Sequence, residues 1–565
     1  MVDPWSRRDV FGQVLAAGIA VHLPAGNVPG SGSPSKAAAV PENIVGLRLF
    51  TDAGQVNLPD DCQLVWTSGY SRLGHGGACY QRDASVNISY VRAHSRTAFT
   101  DSQGKGFRLV EQDLDVRQTG ALGDGTTDDT TAFQEALDFV EASGGGMVTV
   151  PTGEYHITAP LQLPPRVAMR GTGPASILRV TGCNGLIINA SDEIGPRGIS
   201  DFALQGRGCE NFTAIVIDVE DSRRAQGLVF ERLYLSFFGT GLRSRGLWHS
   251  TFRTITMNQI WGGGVFSGRN VKILIDDCRL THASLLRGTG EAVGFTVGDE
   301  KHTSRPEDVQ ISNTIIYGFE KGIVWRTALF GGVTNCDLDA CTRAGLELVT
   351  ADGGFNFSNN WVNIISPSGL GIDCTALGYD PKTTNVLLSN NNINSTSKSP
   401  ALAGVRVGSR QSDISIHSNS VSGIWSNSVH IDGAHRVSVA NNKVDGKIAI
   451  ERSNDVSLSY NFAGGGLRLT DNLRLDVGVG LGPQSPKITG TVTIPAGKSL
   501  QTATFQSLGL SDLPEGKYRT MLILNSDFSK EEVSTSGTVT RTGISITTDR
   551  SLSRVHSVSF RIEVY

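Results

Sequence analysis

Acidic side chains in the middle of the 565-residue chain are the first residues that could do chemistry. Asp337 and Asp339 alternate with Cys336 and Leu338 along the chain. In a β-strand with the Cys and Leu facing inward, both carboxylates would point out on one face. A pair of carboxylic acids can hydrolyse a glycosidic bond, one as general acid and the other as base or nucleophile. The residues predicted to be catalytic are, in order of preference, Asp339, Asp337, Asp277 and Glu291.

A second chemistry, β-elimination on a uronic-acid polymer, needs a base and a group that neutralises the substrate carboxylate. Bases are present near the acids, and clustered acids could hold calcium for the second task. The sequence contains no fixed metal-binding motif, so we predict no metal site and keep calcium only for the elimination alternative. Residues predicted to bind substrate, by charge or by stacking on sugar faces, are Arg279, His282, Trp361 and Tyr317. Hydrolysis is slightly favoured over elimination.

Composition limits the class of protein that could carry these residues. The chain has 67 glycines, 18% charged residues and a net charge of −4. A nucleic-acid-binding protein held by phosphate contacts would need a basic surface, which this balance does not indicate. The sequence has no long apolar run of the kind that spans a membrane. Abundant Gly, Asn, Ser, Thr and Val favour an all-β chain with many tight turns.

Internal repetition is the strongest structural signal. The template apolar-x-apolar-x-x-Asn-x-apolar recurs at intervals of 19 to 31 residues, with its Asn at positions Asn360, Asn391, Asn419, Asn442 and Asn461. Cys278 and Cys336 occupy the Asn position in two earlier copies. Short strands separated by bends, one coil per repeat, predict a parallel β-helix in which Asn stabilises the bends and forms a ladder. Aligning the copies places Arg279 over or near Asp337, and Thr281 near Asp339.

A helix is predicted before the repeats. Gly120-Ala-Leu-Gly-Asp-Gly-Thr-Thr-Asp-Asp-Thr130 precedes a segment whose apolar residues share one helical face, and Asp128 or Asp129 could cap it. Val148-Thr-Val-Pro-Thr-Gly-Glu-Tyr155 follows as a strand and turn. A helix at about 129–142 would close the open apolar end of the first coil.

The motif G-A-x-G-D-G-x-x-D-D-T, followed by a helix and V-P-x-G-x-Y, resembles the entry to the pectate-lyase-like superfamily, which includes phage tailspikes and secreted polysaccharide depolymerases. Trp66 to Tyr70 and Gly74 to Tyr80 also resemble the small head module that precedes many tailspike helices. The resemblance implies a right-handed parallel β-helix, a polysaccharide bound along its flank, and a homotrimer. It does not fix the reaction.

The expected organisation has four parts. Residues 1–40 form an export signal that resembles a twin-arginine leader, with a flexible arm as the alternative. Residues 41–112 form the head module and residues 113–480 the β-helix. Residues 481–565, with alternating runs such as Tyr518 to Leu524, form a small antiparallel β-domain. Eight scattered cysteines are expected to be mostly small buried apolar residues, although Cys336 and Cys341 could pair in an oxidising compartment.

The sequence thus predicts an enzyme that cleaves a bacterial capsular polysaccharide or exopolysaccharide and is either secreted or carried on a phage tail. Two alternatives stay open: a polysaccharide lyase, and a glycan-binding adhesin or tailspike that does not cut.

Overall fold

The computed structural model describes residues 43–189, 197–219, 224–282, 291–299, 305–326, 328–349, 353–375, 385–409 and 411–470. Further described segments are residues 473–477, 487–494, 500–504, 518–524, 535–539, 543–548 and 556–564. The expected export signal or arm at 1–40 lies outside these residues. No helix among the described residues is long and apolar enough to cross a membrane.

The chain divides into two compact units. The first contains the described residues up to Leu122 together with Thr131–Thr149. Its strands are Ile44–Leu47, Leu64–Thr67, Cys79–Arg82, Ala98–Thr100, Gly106–Leu109, Leu114–Asp115 and Gly146–Val150. Short 3-10 helices lie at Phe50–Gln55 and Val116–Thr119, and helix α1 spans Ile88–Ala93. The first five strands form one mixed sheet, which lies in the region predicted to be a head module.

Helix α2, Thr130–Ala142, occurs where the sequence predicts one. It buries the five apolar residues of the predicted face, Ala132, Phe133, Ala136, Leu137 and Val140. The preceding acidic residues hold turns. Asp124 Oδ1 accepts from the amides of Thr126 and Thr127 at 2.9 and 2.8 Å, and Asp128 Oδ1 accepts from the amide of Thr130 at 3.0 Å. Asp124 of the Gly-Asp-Gly motif therefore stabilises the turn that precedes the helix.

The second unit is a parallel β-helix with three walls, whose strands pair in parallel from coil to coil. Wall A has the strands Thr256–Ile260, Arg279–His282, Ile315–Tyr317, Asp337–Cys341, Trp361–Ile364, Asn392–Ser395, Ser420–Gly423, Lys443–Val444 and Phe462–Ala463. Wall B has the strands Gly262–Ser267, Val293–Val297, Lys321–Trp325, Ala344–Leu348, Leu370–Cys374, Ala401–Val407, Trp425–Asp432, Ile448–Glu451 and Leu467–Thr470.

Wall C closes each coil. Its strands are Val167–Gly171, Arg197–Ser200, Leu228–Glu231, Leu247–Arg253, Val271–Asp276, Glu307–Ser312, Gly331–Thr334, Phe355–Ser358, Val386–Ser389, Ser412–His417, His435–Ala440, Asn454–Ser459 and Leu473–Val477, with Ala225–Gln226 beside Leu247–Arg253. Walls A and B begin with the strands Asp124–Asp128, Gly153–Ile157, Leu161–Leu163, Ser176–Thr181, Leu186–Ile188, Ala203–Asp218 and Tyr234–Arg245.

The repeated Asn residues form a buried ladder at the corner between walls C and A. Asn391 Oδ1 accepts from the backbone amide of Asn360 at 2.9 Å and from its side-chain amide at 3.1 Å. The same pair of bonds recurs from Asn391 to Asn419, from Asn419 to Asn442 and from Asn442 to Asn461. The sequence prediction of a ladder is confirmed.

The residue before each ladder position has a left-handed backbone. Asn359, Asn390 and Asn441 have φ of 59°, 55° and 56°. Asn adopts this region more readily than most residues because its short side chain can bond locally. The bend and the ladder, which the sequence analysis gave to one Asn, thus belong to two successive residues. The first makes the bend and is Asn, Ser418 or Tyr460, and the second is the Asn of the ladder.

A column of glycines lies at the corner between walls A and B, near the start of the wall B strands. A Cβ on Gly345 would lie 2.3 Å from the Val362 side chain, and one on Gly371 would lie 2.3 Å from the Gly404 carbonyl oxygen. No side chain fits at such distances, so these glycines let successive coils pack closely where the wall B strands begin.

The cysteines are all free, and seven of the eight are buried. Cys336 and Cys341 do not pair in this structure, because each side chain points into the coil interior as a small apolar group. Six strands follow the coil: Lys487–Ile494, Leu500–Thr504, Tyr518–Leu524, Thr535–Val539, Gly543–Thr548 and His556–Val564. They form two three-stranded antiparallel sheets, and their status as a separate domain stays a prediction.

Candidate active site on wall A

Two columns of side chains point outward from wall A. Its inward positions are apolar and buried, as Leu280, Ile316, Leu338 and Val362 show. Because side chains alternate along a strand, the residues on either side of these positions face out. The first outward column is Arg279, Ile315, Asp337, Trp361 and Asn392, and the second is Thr281, Tyr317, Asp339, Asn363 and Asn394. The structure therefore gathers Arg279, Tyr317, Asp337, Asp339 and Trp361 on one face.

Asp337 is half-buried and, unlike Asp339, has a buried carboxylate oxygen with no hydrogen-bond donor among the described residues. Burial, followed by the neighbouring charge of Asp339, raises the pKa of Asp337 to about 6. Its Oδ1 is buried and accepts no hydrogen bond in the part of the chain that the structure describes. An unsupported carboxylate favours the protonated form, so this side chain suits the role of a proton donor near neutral pH.

Asp339 lies two residues further along the same strand in a more polar environment. Its Oδ1 accepts a hydrogen bond from Asn363 Nδ2 at 2.9 Å. The Cα atoms of residues two apart on a strand are about 6.6 Å from each other. Two carboxyl groups with different surroundings on one exposed face form the arrangement that acid–base hydrolysis of a glycosidic bond requires.

A β-bulge follows the pair. The register between strands Asp337–Cys341 and Trp361–Ile364 shifts between Leu338 and Cys341, and Ala340 has φ of 55°. Two residues, Asp339 and Ala340, therefore lie opposite Asn363. Bulges commonly re-aim a side chain at the edge of a regular ladder.

Aromatic and apolar side chains flank the acids. Tyr317 lies directly opposite Asp339 and is 49% exposed, and Ile315 lies opposite Asp337 and is 40% exposed. Trp361 lies on the other side of Asp337 and is half-buried. Rings beside the acids can stack on the apolar faces of sugars, as the sequence analysis expected.

Arg279 is further from the acids than the alignment of repeats suggested. Strand Ile315–Tyr317 lies between Arg279 and Asp337, so the two residues are separated by two strand spacings, about 9.6 Å. The alignment that places Arg279 over or near Asp337, and Thr281 near Asp339, is therefore wrong by one strand. The reason is that Thr314 occupies a ladder position, with its Oγ1 accepting from the Cys278 amide at 3.3 Å.

His282 ends its wall A strand and packs among rings. Its ring lies 5.1 Å from that of Trp261 and 5.4 Å from that of Phe319, between centroids. Burial lowers the pKa of His282, with a smaller opposing effect from Glu320. The imidazole is therefore neutral at physiological pH and lies at the end of its wall A strand.

Glu291 and Asp277 are not brought to the acid pair. Glu291 Oε2 lies 2.7 Å from Lys321 Nζ and its other oxygen pairs with Arg343. These cations outweigh burial, so the pKa of Glu291 is lowered, which makes it a poor proton donor. Asp277 is in the left-handed turn before wall A, and its Oδ2 accepts from Thr254 Oγ1 at 3.0 Å.

Asn363 is the residue at this site that the sequence analysis did not single out. Its position three residues after the ladder Asn360 is a signal that could have located it on the outer face of wall A. Among the described residues, no group of three or more His, Cys, Asp or Glu side chains is arranged to hold a metal ion.

Part of the coil is similar to known proteins. Residues 114–347 match the family described as rhamnogalacturonase A/epimerase, pectate lyase-like. The tail spike protein of Shigella phage Sf6 is 28% identical over 266 residues, which is 44% of this chain and 42% of that protein. The mannuronan C5-epimerase AlgE1 of Azotobacter vinelandii is 34% identical over 108 residues, 17% of this chain and 8% of that protein.

Among solved structures, the capsular polysaccharide depolymerase tailspike gp49 of the Acinetobacter baumannii bacteriophage Fri1 is 12% identical, with a TM-score of 0.45. The alignment covers 92% of this chain and 98% of that one. The part of the chain that resembles the pectate-lyase-like family model, residues 114–347, falls largely within the β-helix. The matches of the chain to both curated relatives span less than half of their length.

Proposed function

We propose that this protein is a depolymerase that hydrolyses glycosidic bonds in a bacterial surface or secreted polysaccharide bound along wall A. The observation that carries the proposal is the unequal acid pair. Asp337 has a pKa raised to about 6 and an unsupported buried oxygen, while Asp339 is hydrogen-bonded by Asn363. Both face out between Tyr317 and Trp361.

In this mechanism Asp337 donates its proton to the glycosidic oxygen as the bond from that oxygen to the anomeric carbon breaks. Asp339 removes a proton from a water molecule, whose oxygen forms the new bond to the anomeric carbon. The Cα spacing of about 6.6 Å between the two residues is close to the 6.5–9.5 Å that separates the carboxyl groups of inverting enzymes. We therefore expect inversion at the anomeric carbon.

The substrate class and location follow from the relatives and belong to the proposal. The Sf6 protein is named as a tail spike, and the Fri1 tailspike as a capsular polysaccharide depolymerase. A phage tail is accordingly the favoured location, with a secreted enzyme as the alternative. A homotrimer is expected on the same grounds.

Elimination is the second candidate, and two observations favour it. Tyr317 is exposed opposite Asp339 and could act as a base, and relatives include an alginate lyase and mannuronan epimerases of Azotobacter vinelandii. Elimination also needs a cation that neutralises the substrate carboxylate, and two nearby arginines are poorly placed for this. Arg279 is two strands from Asp337, and Arg343 is paired with Glu291 and lies 3.7 Å from Glu320. A bound calcium ion is the remaining way to neutralise a uronate.

The test is a panel of purified bacterial polysaccharides, including alginate, O-antigens and capsules. Hydrolysis should release reducing ends without absorbance near 235 nm, whereas elimination should produce that absorbance. Asp337→Asn and Asp339→Asn should each lower kcat by about 10²–10⁴-fold. Asp308→Asn, on wall C, is the matched control and should retain activity. Binding with no change in polymer size would support an adhesin and contradict the proposal.

A further inference from the structure

Trp248 on wall C is contacted by two arginine side chains, Arg224 and Arg269, which together are called the arginine pair. The Arg224 guanidinium carbon lies 4.7 Å from the centroid of the Trp248 ring, and that of Arg269 lies 5.9 Å from it. Both arginines are exposed, and Trp248 is half-buried. This cluster lies on a different wall from the acid pair, and the proposed function does not use it.

The pairing of the wall C strands brings the two arginines to one ring. Arg224, Gly246 and Arg269 occupy equivalent positions in three successive coils. The middle position carries no side chain, and Gly246 has a φ of 80°, which favours glycine. The two long side chains therefore start from coils about 9.6 Å apart, with an open position between them, and converge on Trp248.

Hydrogen bonds fix the backbone that carries Arg269. Asn270 is fully buried, and its Oδ1 accepts from Ser244 Oγ at 2.7 Å and from the Leu247 amide at 3.1 Å. The carbonyl oxygen of Arg269 accepts from Trp248 Nε1 at 3.1 Å. The indole is therefore oriented before any ligand binds, and a preorganised site loses less conformational entropy on binding.

The arginine pair lacks the acidic partners that other arginines of wall C have. Arg253 Nε lies 3.6 Å from Asp276 Oδ2, and Arg436 Nε lies 2.6 Å from Asp413 Oδ1. In the part of the chain that the structure describes, neither guanidinium of the arginine pair has an ion pair or a hydrogen bond. Attraction to the indole offsets part of the repulsion between the two cations, and it leaves their N–H groups available to an anion.

We propose that the arginine pair and Trp248 form a second saccharide-binding site, on wall C, for a sugar that carries an acidic group. A guanidinium recognises a carboxylate or a phosphate through two parallel hydrogen bonds, and the indole offers an apolar surface to the sugar ring. A uronic acid and a sugar phosphate share this chemistry. The site binds a polymer without cleaving it, so it does not depend on hydrolysis at wall A.

Calorimetric titration of the full chain tests the site without turnover. The probes are oligogalacturonate, which carries carboxylates, glucose 6-phosphate, inorganic phosphate and a neutral dextran oligosaccharide. Wild type should bind oligogalacturonate or glucose 6-phosphate at least about 10-fold more tightly than dextran, and the tighter of the two identifies the acidic group. Arg224→Gln and Arg269→Gln should each weaken that binding by about 10-fold, because each removes a charged hydrogen-bond donor.

Two further variants separate this site from a general effect of charge. Arg436→Gln is the matched control, because it removes an exposed arginine of the same wall that already has an acidic partner, and it should leave affinity within about 2-fold. Trp248→Leu keeps both cations but removes the ring, so it should weaken binding of the acidic sugar and leave binding of inorganic phosphate unchanged.

Four results would overturn the inference. They are no binding of either acidic sugar to wild type at millimolar concentration, equal affinity for acidic and neutral sugars, unchanged affinity in the Arg224→Gln and Arg269→Gln variants, and an equal loss in Arg436→Gln. Inorganic phosphate bound as tightly as the acidic sugars would also contradict a saccharide site. Failure of wild type to cleave any polysaccharide would refute the proposed function alone, because none of these titrations requires cleavage.

Discussion

The ladder at the corner of walls C and A and the outward columns of wall A are only one to three residues apart in the chain, yet their chemistry differs. The ladder positions repeat one residue type from Asn360 to Asn461, all buried and hydrogen-bonded to each other. The outward columns change residue type at nearly every coil, and Asp337 retains a buried oxygen without a partner among the described residues.

The difference shows how a repetitive fold separates stability from function. A buried polar side chain in a stacked coil is most stable when the equivalent side chains in the coils above and below form hydrogen bonds with it. This favours the same residue type in every coil. An outward side chain does not need a hydrogen bond from the adjacent coils. The residue type there can therefore be acidic, aromatic or an amide, whichever suits the ligand. We therefore expect ladder variants to change stability, and variants of the outward columns to change activity or its pH dependence.

The largest effect on stability is expected from Asn391→Ala. It removes the acceptor of two bonds from Asn360 and the side-chain amide that donates to Asn419 Oδ1 and to the Phe357 carbonyl oxygen. Leaving buried amide groups without partners should lower the free energy of unfolding by about 3 kcal/mol. Urea denaturation measures this change. The control is Asn392→Ala, exposed on the next position, which should stay within about 0.5 kcal/mol of wild type; equal losses in both variants would contradict the comparison.

Replacing a corner glycine should have the next largest effect. In Gly371→Ala the new Cβ would lie 2.3 Å from the Gly404 carbonyl oxygen and 2.4 Å from the Ile393 side chain. Moving the neighbours apart should cost about 2 kcal/mol. Gly198→Ala is the matched control, because nothing lies within 4 Å of its added Cβ. A thermal midpoint for Gly371→Ala equal to that of the control would show that the corner does not require glycine.

The repeats let the sequence predict much of the coil but less of its register. The ladder from Asn360 to Asn461 and helix α2 were predicted from the template and from helical periodicity. The strand Ile315–Tyr317 was missed as a neighbour of Asp337, because Thr314 replaces Asn or Cys at its ladder position. A sequence template compares residue types, whereas a ladder position can be filled by any side chain that accepts the hydrogen bond, as Thr314 does.

The candidate site shows the same limit. Strand alternation was enough to predict that Asp337 and Asp339 share an outer face. The contact of Asp339 with Asn363 was not predictable, because it depends on the bulge at Ala340, which changes the cross-strand register by one residue. Glu291 was selected as an acid near the others in sequence, but its partners Lys321 and Arg343 come from later coils.

A smaller effect should distinguish the two Asn residues of one repeat. Asn359 is exposed with φ of 59°, whereas Asn360 is 2% exposed within the ladder. Asn359→Ala should lower the free energy of unfolding by about 1 kcal/mol because alanine resists the left-handed backbone. Asn359→Gly should cost almost nothing, since glycine adopts this conformation freely. If glycine and alanine were equally harmful, the side chain rather than the backbone of Asn359 would be responsible.

The smallest effect concerns the pH dependence of stability at Asp337. Its pKa in the folded protein is about 6, above the ordinary 3.8, so between these values the folded state binds more protons than the unfolded state. The contribution of Asp337 to stability should therefore decrease as pH rises from about 4 to about 6. Asp337→Asn removes this titration, so above pH 6 it should be more stable than wild type, by at most about 1 kcal/mol after allowing for solvent screening. Urea denaturation of both proteins at pH 4 and pH 7 measures the difference. A variant that loses stability at pH 7 would show that the Asp337 carboxylate stabilises the fold, and would place this residue with the ladder instead of the outward columns.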